Sequence, residues 1–374
     1  MMQRLAMKPI LPMGLVALLL GSSPAAAQEK AIAAIKEAGG QVDLHDDKPG
    51  KPARGVYFEY PKKATDALLE QVKALTELQA LYVDYESTVT DKGLEQLKGL
   101  TKLEQLTIRG APGVTDEGLA HLAGLTKLKE LALPGHKKLT DAGVKHLAGL
   151  TELDVLVLDR AGITDDGLGA LARMTKLRWL QLGHTPITGR GFVHLKALQN
   201  LERLELGEAK IAGPGLEHLK HLPKLVYLDL YSTPITDQGL QALGEVTQVK
   251  GVGLVKTGIG DEGLKHLRTI KELVTLNLNY TPVSGSGLKY LKDLPKLRRV
   301  YLASAKVTDD GLKEVAQLKR LEQLSLMNTE VSDKGLEHLH GLTALQELVL
   351  YKTTVTEGGI AKLKKALPKV QVSE

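Results

Sequence analysis

LTKLEQLTIRGAPGVTDEGLAHLAG begins at Leu100, and LTKLKELALPGHKKLTDAGVKHLAG follows it directly from Leu125. The same phrase returns as LPKLVYLDLYSTPITDQGLQALGE from Leu222 and as LKRLEQLSLMNTEVSDKGLEHLHG from Leu318. Twelve such units start at residues 75, 100, 125, 150, 174, 198, 222, 246, 270, 294, 318 and 342. The period is 25 residues at first, 24 through the middle and 25 again in the last unit. Self-similarity at this period marks a solenoid, in which no unit can bury its own leucines and only stacking does so. With two Phe and one Trp in 374 residues, the core has to be aliphatic, chiefly leucine.

Each unit has a readable physics. In LVYLDL, Leu228 and Leu230 alternate with outward residues, which predicts a short strand with one buried face. TPITDQGL then turns the chain, with Thr236 as expected helix N-cap and Asp237 in the first turn, where the helix dipole favours a negative charge. Leu240, Leu243 and Val246 form the stripe of one short helix. Strands stack side by side at about 4.8 Å, and the wider helices on the other side force the stack to curve with its strands inward.

The pattern LxxLxLxxTxVTDxGLxxLxxL resembles the leucine-rich repeat family, in particular the repeats of this length in exported bacterial proteins, and it covers residues 75–366. The resemblance implies an α/β fold, a curved horseshoe with a parallel sheet on the concave face and short helices on the convex face. One departure stands out. Where many members carry Asn after the strand, this chain has Thr185, Thr233, Thr257, Thr281, Thr329 and Thr353, or Ala161, Ala209 and Ala305. The inner asparagine ladder is therefore expected to be missing, with Thr hydroxyls replacing part of its bonding.

The ends extend this reading. Residues 1–27 read as a signal peptide: Arg4 and Lys8 precede the apolar ILPMGLVALLLG, and SSPAAAQ supplies a cleavage site after Ala27. The apolar run is short and broken by Pro12 and Gly14, which argues against a membrane anchor. No cysteine follows it, so a lipid anchor, a disulfide framework and a thiolate site are all excluded. Export to the periplasm or the cell exterior is expected, without membrane insertion after cleavage. Residues 28–74 read as an N-terminal cap of helix, two strands and half a repeat, and residues 367–374 as a C-terminal cap strand.

Several motifs look chemical and are better explained by the repeat. GIGDEG (258–263) fits a dinucleotide fingerprint, yet Asp261 and Gly263 are the Asp and Gly of TDxGL. His121, His146, His194, His218, His266 and His338 share one helix position, but helices about 8–10 Å apart cannot converge on one metal from a single column. Glu205 and Asp229 hold the same strand position in adjacent units, close enough for one carboxyl to raise the pKa of the other, while Arg203 stands ready to neutralise either. No cofactor is implied.

The outward strand positions carry Tyr82, Tyr85, Trp179, Tyr227, Tyr231, Tyr280, Tyr301 and Tyr351, eight of the thirteen aromatic residues. Stacking does not require them there, and Tyr and Trp dominate binding surfaces. Trp179, Arg203 and Tyr227 fall in one row, suited to a ring–guanidinium–ring stack. Gly251 and Gly253 suggest a dip walled by Tyr231, Asn277, Asn279, Tyr280, Arg299 and Tyr301. Six bases (Arg109, Arg160, Arg203, Lys256, Arg299, Lys352) are balanced by seven acids (Asp84, Glu130, Asp159, Glu205, Glu208, Asp229, Glu347), which excludes a phosphate-binding surface for nucleic acid. The expected function is a monomeric, non-enzymatic scaffold holding a protein partner on this face. A glycan ligand is the close variant, and a glycosidase-like enzyme using Glu205 and Asp229 the more distant one.

Overall fold

The computed structural model describes residues 23–60 and 63–374. Of the expected leader, residues 1–22 lie outside this range. A first helix, α1 (Pro24–Glu37), stops before Gly39, whose φ of 83° lets the Gly40 N–H return 2.8 Å to the Ile35 carbonyl. The strands β1 (Gln41–Leu44) and β2 (Ala53–Phe58) pair antiparallel, and α2 (Asp66–Val72) follows with Thr65 as its N-cap. From β2 onward each strand pairs parallel with the next, one per unit, in a 15-stranded sheet that runs in chain order to Gln371–Ser373. The molecule is a curved solenoid with this sheet on its concave side and short helices behind.

Alternation along each strand sends the leucines inward. Leu204, Leu228, Val252, Leu276 and Val300 are register partners across five strands and are all buried. Leu240 and Leu243 close on them from the helix side, also buried. Apolar side chains buried this fully stabilise by about 1.5–3 kcal/mol each, which makes the leucine column the main driving force.

At the end of the strand the departure from asparagine has a clear outcome. The Thr185, Thr233, Thr257 and Thr281 hydroxyls donate to the carbonyl three residues back, at 2.6–2.8 Å, so they close their own unit's turn instead of bridging units. The bridge falls to the preceding residue. His184, Glu208, Ser232, Lys256 and Tyr280 all sit at φ 53–61°, and each N–H reaches a carbonyl of the next unit at 2.6–3.0 Å. A left-handed non-glycine residue costs about 1–2 kcal/mol, offset here by a hydrogen bond that continues the sheet ladder beyond the strand.

A second ladder runs on the helix side, built by the Asp of TDxGL. Asp116 Oδ1 accepts the Thr140 N–H at 2.7 Å and Oδ2 accepts the Thr140 hydroxyl at 2.6 Å. Asp91 holds Thr115, Asp141 holds Thr164, Asp309 holds Ser332 and Asp333 holds Thr356 in the same way. Each held Thr or Ser then accepts an N–H of its own helix's first turn, as Thr140 does from Ala142. The glycine two residues beyond each Asp is required by this contact: a Cβ on Gly143 would lie 2.2 Å from Asp116 Oδ1. GIGDEG is one rung of this ladder, with the Gly260 N–H on Asp237 and the Gly287 N–H on Asp261.

The expectation for Thr236 is corrected. Its unit forms a short helix only at Leu240–Leu243, with no side-chain cap, and Thr236 contributes its carbonyl to the Leu240 N–H. The residue that would hold Thr236 is Gly213, not Asp, so the rung is missing. Gly189, Gly213 and Gly285 interrupt the ladder and sit at φ 103°, 132° and 99°. Backbone meets backbone there, since a Cβ on Gly213 would fall 2.3 Å from Gly239 Cα. Several helices of the central units are 3-10 turns, including Arg190–Ala197, Leu216–His221 and Ser286–Leu291.

Removing one rung should cost about 2 kcal/mol, the scale of a hydrogen-bonded charge left unmatched. Asp116→Ala is expected to lower the free energy of unfolding by that amount, read as a lower urea midpoint. Gly143→Ala should destabilise the natural protein and do so far less in the Asp116→Ala background, because the atom it strikes is gone. Equal penalties in both backgrounds would disprove the contact.

Candidate functional site on the concave face

Strand register sorts the outward side chains into rows. Trp179, Arg203, Tyr227, Gly251, Thr275 and Arg299 are successive partners, and Gln181, Glu205, Asp229, Gly253, Asn277 and Tyr301 form the row beside them. Their common face is fixed by the inward leucine between them, because side chains alternate along a strand.

The Arg203 guanidinium lies between two rings, 5.3 Å from the Trp179 centroid and 4.5 Å from that of Tyr227. Such contacts contribute about 0.5–2 kcal/mol according to how dry they are. Arg203 Nε donates to the Glu205 carboxylate, and the Glu205 side chain is only 17% exposed. Asp229 stands next to Glu205 and keeps its proton up to about 6, first because it is half-buried and second because Glu205 is negative. The Tyr231 N–H and Arg203 oppose these effects without cancelling them. Asp159, on the same face, is also pushed up by burial, against the Gly183 N–H at 2.6 Å and the Gln181 amide, which both donate to it.

The expected glycine-floored dip is not open. Tyr227 lies over Gly251, where a Cβ would meet its ring at 2.9 Å, and Asp229 lies over Gly253, where a Cβ would meet Oδ1 at 2.2 Å. The two glycines are buried beneath these side chains and make room for them. They therefore serve the cluster formed by Trp179, Arg203, Glu205, Tyr227 and Asp229, not a ligand directly.

The remaining candidates form separate groups. Tyr231 packs over Gly207 and meets Lys256, whose Nζ donates to its hydroxyl at 3.3 Å. Asn277 Oδ1 accepts the Asn279 N–H at 3.1 Å, and Asn279 in turn accepts the Ala303 N–H, so both amides brace the backbone. Arg299 donates to the Thr275 hydroxyl and Tyr301 to the Gln323 amide oxygen. Tyr280, left-handed at φ 58°, is 52% exposed and stands clear of both groups.

Three features were not singled out from sequence. Arg109 lies 5.5 Å from the Tyr82 ring and 5.8 Å from that of Tyr85. Arg160, His184 and Glu208, consecutive left-handed residues, form a chain in which His184 Nδ1 meets Glu208 at 2.8 Å and Nε2 meets Arg160 at 3.1 Å. His136 takes the place of the turn Thr and sets Nδ1 2.9 Å from the Leu133 carbonyl; full burial holds its pKa below the usual range. The signal for His136 was its place in the threonine column, whereas pairing among rim residues is visible only once register is known. Away from this face, a cleft of about 490 Å³ opens on the helix side beside Gly213, Glu217, Gln238 and Glu245, where the Asp ladder is interrupted.

A parallel sheet backed by short helices, one of each per 24 or 25 residues, defines the leucine-rich repeat class. The family description "leucine-rich repeat region" matches residues 59–250, more than half of the sequence, and the chain belongs to this family. Among solved structures it is similar to an internalin of Listeria monocytogenes, at 22% identity and a TM-score of 0.66, over 93% of this chain and 94% of that one. It is also similar to a leucine-rich repeat protein of Leptospira interrogans, at 19% identity and a TM-score of 0.58, over 82% of this chain and 80% of the other. Both likenesses concern the fold. No curated protein matches the sequence significantly. Among the described residues, no helix is long and apolar enough to cross a membrane.

The raised Asp229 pKa has a defined sign. Between its ordinary 3.8 and its folded value of about 6, the folded protein binds more protons at this site than the unfolded chain does. Its contribution to stability is therefore complete below 3.8 and lost as pH rises to about 6. Asp229→Asn should remove that decline and be the more stable protein above pH 6 by on the order of 2 kcal/mol. Urea midpoints across this range test it; a variant that follows the natural pH profile contradicts the assignment.

Proposed function

We propose that this protein is a non-enzymatic binding scaffold that recognises a protein partner through its concave face, and that it is exported. The observation that carries the reading is the Trp179–Arg203–Tyr227 stack, set in consecutive strands of a frame whose stability resides elsewhere. Rings and a guanidinium held in place by their neighbours lose little entropy on contact, which suits them to anchor a partner. The charge on the face is mixed in sign, with internal pairs at Arg203–Glu205 and His184–Glu208, which fits a protein surface better than a polyanion. Export rests on the N-terminal leader pattern.

A second reading is favoured by one observation, the half-buried Asp229 that holds its proton to about 6 beside Glu205. A raised acid next to a second carboxylate suits glycoside hydrolysis. The Arg203 contact to Glu205 and the Tyr227 cover weigh against it. Glu205→Gln should leave binding intact; if it abolished turnover of a glycan substrate while the protein stayed folded, the enzyme reading would replace the scaffold one.

Trp179 is the only tryptophan, so its fluorescence reports on this face alone. Titration with fractionated envelope proteins is expected to give a saturable change that Tyr227→Ala removes. A response to glycan fractions only, or none to any fraction, would contradict a protein partner on this face.

A further inference from the structure

We infer that Arg109 is an anion seat that takes an Asp or Glu side chain of the partner polypeptide; the inference rests on the concave-face reading above. The face holds two guanidinium groups set between two rings. Arg203 has its counter-charge within the chain, since its Nε donates to Glu205. Arg109, between Tyr82 and Tyr85, has none: among the described residues its Nε is buried with no acceptor, while the residue as a whole remains only half-buried. A guanidinium N–H buried without an acceptor is costly, and a bidentate carboxylate is the group that matches the planar fork.

The neighbouring acid on its own row makes no direct ion pair with it among the described residues. Asp84 is held by the backbone, accepting the Tyr85 N–H at 2.9 Å and the Tyr60 N–H at 3.5 Å. Beside Arg109 the row of Tyr82 continues in register with Thr107, Ala132 and Val157, none of them charged or aromatic. Asp84 and Glu59 lie near enough to act on the Tyr82 hydroxyl. A carboxylate presents two oxygens and a single charge to one guanidinium, which makes an Asp or Glu side chain the fitting ligand.

The test uses the full chain, isotope-labelled at arginine, with the Arg109 Nε–Hε resonance assigned by its loss in Arg109→Lys. Titration with N-acetyl-glutamate N-methylamide should shift this resonance saturably, with Arg203 stationary, and the glutamine analogue should not. Arg109→Gln should also weaken the Trp179 fluorescence titration with envelope proteins about tenfold, the equivalent of one charge-assisted hydrogen bond. No shift with the glutamate compound, or equal shifts with both compounds, would overturn the inference. If Arg109 is silent but the Trp179 response persists and depends on Tyr227, the seat is discarded and the concave-face reading stands. If both are silent, both fall.

Discussion

A carboxylate that grips the next unit's threonine by both its N–H and its hydroxyl is the contact on which the regularity of this molecule depends. Leucine burial supplies most of the free energy, but it is non-directional and would tolerate a slip between units. The Asp pair is directional. It fixes the spacing of successive turns, and the threonine it holds starts the next helix, as Asp116 does through Thr140. The close approach also explains the glycine of TDxGL, whose missing Cβ is where the previous carboxylate sits. Where the Asp is absent, at Gly189, Gly213 and Gly285, the chain replaces a side-chain bridge with left-handed glycine and direct backbone packing.

Because the leucine column and the two ladders hold the frame, most outward strand positions are left open to side chains that the frame does not need. The chain spends several of them on side chains that need space made for them. Gly251 and Gly253 lie under Tyr227 and Asp229, and Gly207 lies under Tyr231. Small residues and large ones have thus been placed as pairs on neighbouring strands. The result is a central cluster with its charges satisfied from within, at Arg203 and Glu205, and a second guanidinium toward the N-terminal end with none. A rigid support with preorganised side chains is what low-cost recognition requires.

Much of this was legible in the residues. The period of 24 or 25 and the strand pattern LxxLxLxx specify the order of elements, and the row of Trp179, Arg203 and Tyr227 follows from counting alone. What could not be read is which way a side chain leans. Gly251 and Gly253 look like an open floor until Tyr227 and Asp229 are seen to fold over them. The partner of the repeated Asp was equally hidden, because helix capping within one unit and bridging to the next use the same TD pair. Thr236 misled for that reason: its sequence is that of a cap, but its cap depends on a residue in the preceding unit.

The central claim is that partners meet the sheet and not the helices. A photo-crosslinking amino acid placed at Val157, an outward position of the concave sheet, can be compared with one at Val193, 41% exposed on the helix side within Arg190–Ala197. In cells that produce the protein, the account predicts a discrete protein adduct from position 157 and none from 193. An adduct from position 193 alone would place recognition on the convex side and contradict it.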